Sequence, residues 1–236
     1  MKIEVWSDYV CPFCYIGKRR LEQALESLPE RKNIDVIYKS FELDPNAKRE
    51  TTLTIHEALA KKYGTSLEEA KRMNNSIGQQ AAEEGLQFNF DNMKFTNTFD
   101  AHRLAKFAAT KGKAHEMTER LLLAYFTENK QLSNHNDLIT LADELNLDRD
   151  EVKTMLEGSH FEEDVRFDEM EARKIGVQGV PFFVFNRKYA ISGAQPITVF
   201  QETIKKVLKE ESEVTFQPID GTNTCTDEGC DIPKSE

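Results

Sequence analysis

The sequence predicts an α/β fold in which a helical insertion interrupts the sheet. Three observations carry this prediction. Residues 2–41 read strand, helix, strand; residues 51–176 are almost wholly helical in period; and strand pattern resumes at 179–185. The expected divisions are 1–50 and 177–213 for the two parts of the sheet-bearing domain, 51–176 for an all-helical subdomain, and 214–236 for a tail.

Lys2-Ile3-Glu4-Val5-Trp6 alternates apolar and polar residues, the pattern of a half-buried strand. Ser7-Asp8-Tyr9-Val10 turns the chain toward Cys11-Pro12-Phe13-Cys14. There the period becomes helical, with Leu21, Leu25 and Leu28 on one face and a stop near Pro29. A second alternating run, Ile34 to Phe41, completes a βαβ unit, expected to be parallel and right-handed. Glu42 to Ala47 leaves the sheet as a loop. In the insertion, Thr52 or Thr54 caps a helix ending at Gly64, and Ser66 opens another that runs to Glu84 and stops at Gly85. A short aromatic patch, Phe88-Asn89-Phe90, follows. Asn97 or Thr98 then caps a helix bearing Phe99, Leu104, Phe107 and Ala108. Further helices are expected over 114–128, 136–145, 148–157 and 161–175. Gly179-Val180-Pro181-Phe182-Phe183-Val184-Phe185 and Tyr189-Ala190-Ile191 are expected to form an antiparallel hairpin across Asn186-Arg187-Lys188. Pro196 opens a last helix striped by Phe200, Ile204, Val207 and Leu208.

Charged residues make up 31% and hydrophobic residues 39% of the 236, an ordinary globular balance. The formal net charge of −10 argues against nucleic acid or anionic membrane as the main partner. No apolar run approaches the ~18 residues needed to span a bilayer. The N-terminus lacks the basic-then-apolar order of a secretory signal, so the expected location is the cytoplasm. Thiols there are mostly reduced, and paired cysteines are more often catalytic or metal-binding than structural. The four cysteines form two close pairs, Cys11/Cys14 and Cys225/Cys230.

The first pair sits where a strand hands over to a helix. Unpaired N–H groups and the positive end of the helix dipole favour a thiolate at Cys11 over a thiol. Pro12 suits the first helical turn, where its missing N–H costs little. Lys18, Arg19 and Arg20 oppose the same dipole, and a nearby thiolate would partly compensate them. A C-x-x-C pair in this βα setting reads as a thioredoxin-like redox motif.

Four ordered motifs narrow the reading: Ser7-Asp8-Tyr9-Val10-Cys11-Pro12-Phe13-Cys14-Tyr15-Ile16-Gly17, Asn97-Thr98-Phe99-Asp100-Ala101-His102-Arg103-Leu104, Gly179-Val180-Pro181 and Ser192-Gly193-Ala194-Gln195-Pro196. Over residues 1–210 the chain resembles the DsbA-type branch of the thioredoxin superfamily. Within that branch it is similar to the cytoplasmic FrnE-type subgroup, related to 2-hydroxychromene-2-carboxylate isomerases and kappa-class glutathione transferases. The resemblance implies a thioredoxin fold with a large inserted all-helical subdomain. It also implies that Cys11 is the nucleophile, well exposed, and Cys14 the resolving thiol behind it. Pro181 would be a cis-proline beside the dithiol, leaving the backbone of Val180 to receive an extended substrate segment. Pro12 and Phe13 would tune the thiolate beside the substrate, and Asn97 and His102 would lie near the active-site face. Partners would be protein or small thiol/disulfide substrates. No resident cofactor is implied beyond a redox-active disulfide, with glutathione as the co-substrate the kinship would add. Redox repair or stress defence is the expected setting.

Other residues are weighed more plainly. A lone His on a half-apolar helix is more often packed or solvated than catalytic, which counts against His102. His56, His115, His135 and His160 show no partner at recognisable spacing and are expected at the surface. Asp8 or Glu4 could accept a proton from Cys14, although solvated positions are the expectation for both. Trp6 is expected in the core or a pocket wall. Three readings are open for Cys225 and Cys230: a second redox pair that exchanges with the first, a passive disulfide or free thiols, and a four-thiol zinc site. The last ranks lowest because Cys11-Pro12-Phe13-Cys14 runs into a helix. A glutathione-dependent isomerase or transferase is the rival enzyme. It needs one reactive group at Cys11, and the presence of Cys14 argues against it.

Overall fold

The computed structural model describes residues 1–49 and 51–212, with the backbone of 225–226 and 229–230. Strand β1 (Lys2–Ser7) leads into α1 (Pro12–Glu26), and a 3-10 turn at Pro29–Asn33 leads into β2 (Asp35–Ser40). The two strands are parallel, with Ile3 opposite Val36 and Val5 opposite Tyr38. Next come α2 (Ile55–Tyr63), α3 (Leu67–Glu83), α4 (Phe99–Thr110), α5 (Ala114–Phe126), α6 (His135–Glu144), α7 (Arg149–Glu157) and α8 (Glu162–Lys174). The sheet resumes with β3 (Phe182–Phe185) and β4 (Tyr189–Ser192), and α9 (Ile197–Ser212) follows. The strand order is β2-β1-β3-β4, with β3 antiparallel to both of its neighbours. A short antiparallel pair, β5 (Cys225–Thr226) and β6 (Gly229–Cys230), lies in the tail.

Local chemistry sets the element ends. Thr54 and Glu57 form a capping box at α2, and Gly64 ends it at φ 63°. Ser66, Asn134 and Asp148 cap α3, α6 and α7 through their side-chain oxygens. Asn97 rather than Thr98 supplies the side-chain acceptor at α4, receiving the Phe99 N–H. Asn186 and Arg187 both take positive φ, 48° and 54°, as a tight hairpin turn of this hand requires. Helix α1 ends at Glu26, short of Leu28, because Leu28 is already extended ahead of the 3-10 turn.

The alternation in β1 does not mark a half-buried strand. Glu4 and Trp6 are as buried as Ile3 and Val5, because β1 is central and covered on both faces. On one face Ile3, Val5, Phe183 and Phe185 pack against Leu21 and Leu25 of α1 and Phe200 and Ile204 of α9. On the other, Trp6 and Val184 meet Ala172 of α8, and Trp6 donates to the Asp168 carbonyl at 2.9 Å. The insertion has the largest core, around Leu104, Met117, Leu121, Tyr125 and Leu138. Tyr9, Tyr15 and Ile16 belong to that core as well, so the segment bearing the dithiol is built partly into the insertion.

Two interior positions bear directly on stability. Arg103 is 2% exposed. It pairs with Asp100 at 2.8 Å and donates to the carbonyls of Met155, Leu156, Gly158 and His160, closing the end of α7 from inside. Gly17 lies under the hairpin: a Cβ there would stand 3.1 Å from Phe183 Cζ and 3.1 Å from Pro181 Cγ. Its missing side chain lets α1 approach Pro181 closely.

Replacing Arg103 by Met should lower the unfolding free energy by about 3–5 kcal/mol, since it leaves several buried carbonyls without a donor and leaves the buried Asp100 carboxylate to Arg49 and His135 alone. Urea denaturation measures this, and a loss below ~1 kcal/mol would contradict the buried role. Gly17→Ala should cost about 1–3 kcal/mol by overpacking. An unchanged denaturation midpoint would show that Pro181 and Phe183 yield freely.

Candidate active site

Cys11 is the residue preceding α1, in an extended conformation, and Pro12 occupies the first helical turn. The Cys11 N–H donates to the Asp8 carbonyl at 3.2 Å, and the Cys14 N–H returns to the Cys11 carbonyl at 3.0 Å. These bonds place both sulfurs at the start of the helix. Across from them the Val180–Pro181 peptide bond is cis. The Cys11 thiol donates to the Val180 carbonyl at 3.5 Å, and the Gly193 N–H holds the Pro181 carbonyl at 2.8 Å. The structure thus brings Cys11, Cys14, Val180 and Pro181 together at one place.

The expected exposure of Cys11 is not found. Cys11 is 5% exposed and Cys14 is 2% exposed, because the Val180 backbone closes over the first sulfur and α1 over the second. Phe13 is the exposed neighbour, at 39%, with Pro12 and Val180 half-buried beside it. The rim is therefore apolar while the sulfurs lie below it. Burial pushes the Cys14 thiol well above its ordinary range, and hydrogen bonding to Cys11 adds to the effect. The Asp8 N–H, 3.5 Å from the Cys14 sulfur, and the Ser7 hydroxyl act in the opposite direction.

The basic run on α1 is compensated by carboxylates rather than by a thiolate. Lys18 pairs with Glu22 at 2.6 Å and with Glu119 of α5. Arg19 reaches Glu119 at 2.8 Å, and Tyr15 donates to the same carboxylate at 2.6 Å. Burial works against the charge on Glu119, yet Lys18, Tyr15 and Arg19 hold its carboxyl below the usual range. Arg20 pairs with Glu84 at 2.6 Å and donates to the Ala194 carbonyl at 2.6 Å, linking α1 to α3 and to the segment after β4.

Neither Asn97 nor His102 bonds to a sulfur. Asn97 donates to the Ala47 carbonyl at 3.1 Å and so ties the loop after β2 to the start of α4. His102 Nε2 meets Asp8 Oδ1 at 3.4 Å, and the Leu43 N–H donates to Asp8 Oδ2 at 2.7 Å. Asp8 and Glu4 are not solvated; each is 1% exposed. The Asp8 carboxylate is enclosed by His102 and the loop, and Glu4 lies under Arg187, which donates to it at 2.6 Å. His56 and His135 are not free surface residues. His56 is 4% exposed and bonds Asn74 at 2.9 Å, while His135 bonds Asp100 at 2.8 Å. His115 and His160 are exposed. Ser7 and Tyr9, both buried, and Glu42, buried next to Arg166, carried no signal beyond their place in or after the first motif.

In the tail the register sets Cys225 directly opposite Cys230. Their side chains lie outside the described residues, and so does the four-thiol reading that depends on them. Among the described residues no three His, Cys, Asp or Glu side chains converge as a metal site.

Residues 2–205 match the family described as a DSBA-like thioredoxin domain. A probable DsbA oxidoreductase from Streptomyces coelicolor is 35% identical and superposes with a TM-score of 0.87, covering 99% of this chain and 100% of that one. An uncharacterized protein of Bacillus subtilis is 29% identical over 211 residues, 89% of this chain and 98% of its own length. The fold is shared with a cytosolic disulfide reductase, DsbM, from Pseudomonas aeruginosa (16% identity, TM-score 0.62, covering 89% and 100% of the two chains). It is shared also with a 2-hydroxychromene-2-carboxylate isomerase (12% identity, TM-score 0.68, covering 92% and 100%). With its dithiol, helical insertion and cis-proline in this order, the chain belongs to the DSBA-like thioredoxin-domain family.

Proposed function

We propose that the protein is a cytoplasmic thiol–disulfide oxidoreductase that works through Cys11 and Cys14. The observation that carries the reading is the facing of the dithiol and the cis Val180–Pro181 bond, with the Cys11 sulfur 3.5 Å from the Val180 oxygen. Cys11, as thiolate, attacks a substrate disulfide and forms a mixed disulfide, releasing one substrate thiolate. Cys14 attacks the Cys11 sulfur and releases the other. The Val180 carbonyl, engaged by the Cys11 thiol at rest, accepts a backbone N–H of the substrate once that thiol is consumed. Pro12, Phe13 and Val180 form the apolar rim against which substrate side chains lie. Asn97 acts at a distance, by fixing the loop through Ala47.

Support for the cytoplasmic setting is indirect: no described helix is long and apolar enough to cross a membrane, and a cytosolic disulfide reductase shares the fold. We assign the protein to the FrnE-type subgroup and to defence against oxidative stress, with glutathione returning electrons to the dithiol. Glutathione accompanies the reductase in one of its structures. Cys225 and Cys230, opposed in register, serve as a second redox pair that exchanges with the first. The isomerase sharing the fold keeps a glutathione-dependent isomerase or transferase as the second reading. A resolving thiol at Cys14 speaks against it, because it diverts a glutathione adduct into disulfide exchange.

Insulin-disulfide reduction by the full chain, with metal content recorded, tests the assignment. Cys11→Ser should fall to background. The double change Cys225→Ser/Cys230→Ser should slow turnover several-fold while leaving a measurable rate. A fully active tail variant would reduce that pair to an accessory. An inactive wild type that binds zinc would overturn the oxidoreductase reading in favour of a four-thiol metal protein.

A further inference from the structure

Asp8 meets both halves of the dithiol through its backbone. Its N–H donates to the Cys14 sulfur at 3.5 Å, and its carbonyl accepts the Cys11 N–H at 3.2 Å. The residue lies between β1 and α1 and belongs to neither, so no helix or ladder holds it in place. Its side chain supplies that hold. The Leu43 N–H donates to Oδ2 at 2.7 Å from the loop after β2, and His102 Nε2 of α4 meets Oδ1 at 3.4 Å. The His102 ring also lies against Tyr9, with 4.7 Å between ring centroids, so the same side chain steadies the next residue. Asp8 is 1% exposed and His102 is 2% exposed, which keeps water from competing for these contacts. A carboxylate is costly to bury, and a neutral residue would fill the turn without that cost. What the carboxylate adds is a fixed direction for the peptide beneath Cys14.

We infer that Asp8 is the positioning residue of the resolving step: its carboxylate, gripped by Leu43 and His102, aims its own N–H at the Cys14 sulfur. The inference rests on the oxidoreductase reading and deepens it. Cys14 must react as a thiolate, which burial disfavours; a hydrogen bond to the charged sulfur acts the other way. A donor already fixed in place needs no reorganisation when the charge appears. In the mixed disulfide the Cys14 thiolate attacks the Cys11 sulfur, the bond from Cys11 to the substrate sulfur breaks, and that sulfur leaves with the bonding pair. The dithiol has lost two electrons to the substrate disulfide, and the proton from Cys14 ends on the buffer or on the departing thiolate. Asp8 exchanges no proton and touches no substrate; it acts through the placement of its backbone. His102 thereby has a part in the reaction without contact to either sulfur. Cys11 depends less on Asp8, because the start of α1 and the Val180 carbonyl also hold it.

Stopped flow with 5,5′-dithiobis(2-nitrobenzoate) separates the two steps. The full-length chain carries Cys225→Ser and Cys230→Ser so that only the first dithiol reports. Attack by Cys11 releases a first equivalent of the coloured thiolate, and resolution by Cys14 releases a second. Asp8→Ala should slow the second release about tenfold or more, the effect of losing a hydrogen bond to a charged group, and leave the first within about twofold. Asp8→Asn should restore most of the rate, because its amide offers an oxygen to the Leu43 N–H and an NH2 to the His102 ring. His102→Phe keeps a ring against Tyr9 but loses the contact with Oδ1, and should slow the second release several-fold. The inference is overturned if Asp8→Ala resolves at the parent rate, or if both phases slow together as general damage would cause. It is overturned also if Asp8→Asn is as slow as Asp8→Ala, since the charge of the carboxylate would then matter and its placement would not. Should Asp8→Ala fail to fold, a fast Asp8→Asn beside a slow His102→Phe supports the inference, and the reverse overturns it. A parent chain that releases only one equivalent, the pattern expected of Cys14→Ser, would remove the dithiol reading itself, and the role of Asp8 with it.

Discussion

The carboxylate of Glu119 helps fasten the helical insertion to the helix that bears the cysteines. It gathers Lys18, Arg19 and Tyr15, all within the first turns of α1, and the burial that would neutralise it is outweighed by those partners. Three consecutive bases would weaken the start of a helix if left alone. Met by acids from α3 and α5, they become the attachment itself. Lys18 is the buried member of the cluster, so loss of Glu119 would leave its charge to Glu22 alone in a poor solvent, while Arg19 and Glu119 are only half-buried. The attachment also fixes the depth of the sulfurs. Tyr15 and Ile16 enter the core of the insertion on one side of α1, and Gly17 admits Pro181 on the other.

The two sulfurs consequently occupy different chemical settings within one helical turn. Cys11 faces a carbonyl and an apolar rim, the setting of a group that meets a partner. Cys14 faces the Asp8 N–H beneath the helix, and burial makes its thiol hard to ionise. The asymmetry comes from β1. Its last residues deliver Ser7 and Asp8 beneath the helix, while the distant hairpin delivers Val180 above it. Neighbours in sequence are thereby divided between two sides of one reaction.

Much of this was legible in the chain. The dithiol at a strand-to-helix junction, the Gly-Val-Pro segment before a hairpin, and the caps at Thr54, Ser66 and Asp148 are local signals, and local signals survive in a sequence. What was not legible depends on partners far along the chain. Asp8 looked solvated because His102 stands 94 positions away, and Glu4 because Arg187 stands 183 away. Alternation in β1 pointed to a half-buried strand, since periodicity reports the polarity of a residue and not whether an ion pair buries it. The same limit hid the partners of His56 and His135. The depth of Cys11 was misread for a related reason: helix position predicts the field at a sulfur, whereas its cover comes from a loop in another part of the chain.

That cover has a kinetic meaning. With Cys11 only 5% exposed, a disulfide held rigidly inside a folded protein cannot be brought within bonding distance of it. A partner must first release a short stretch of its own chain. The observed rate toward folded partners then carries the partner's local opening equilibrium as a factor, and so reports on the partner's stability as much as on this protein's reactivity. Chains that have not finished folding, or have begun to come apart, bear no such factor. Selection among substrates is thereby built into the depth of one sulfur, with no need to recognise any particular sequence.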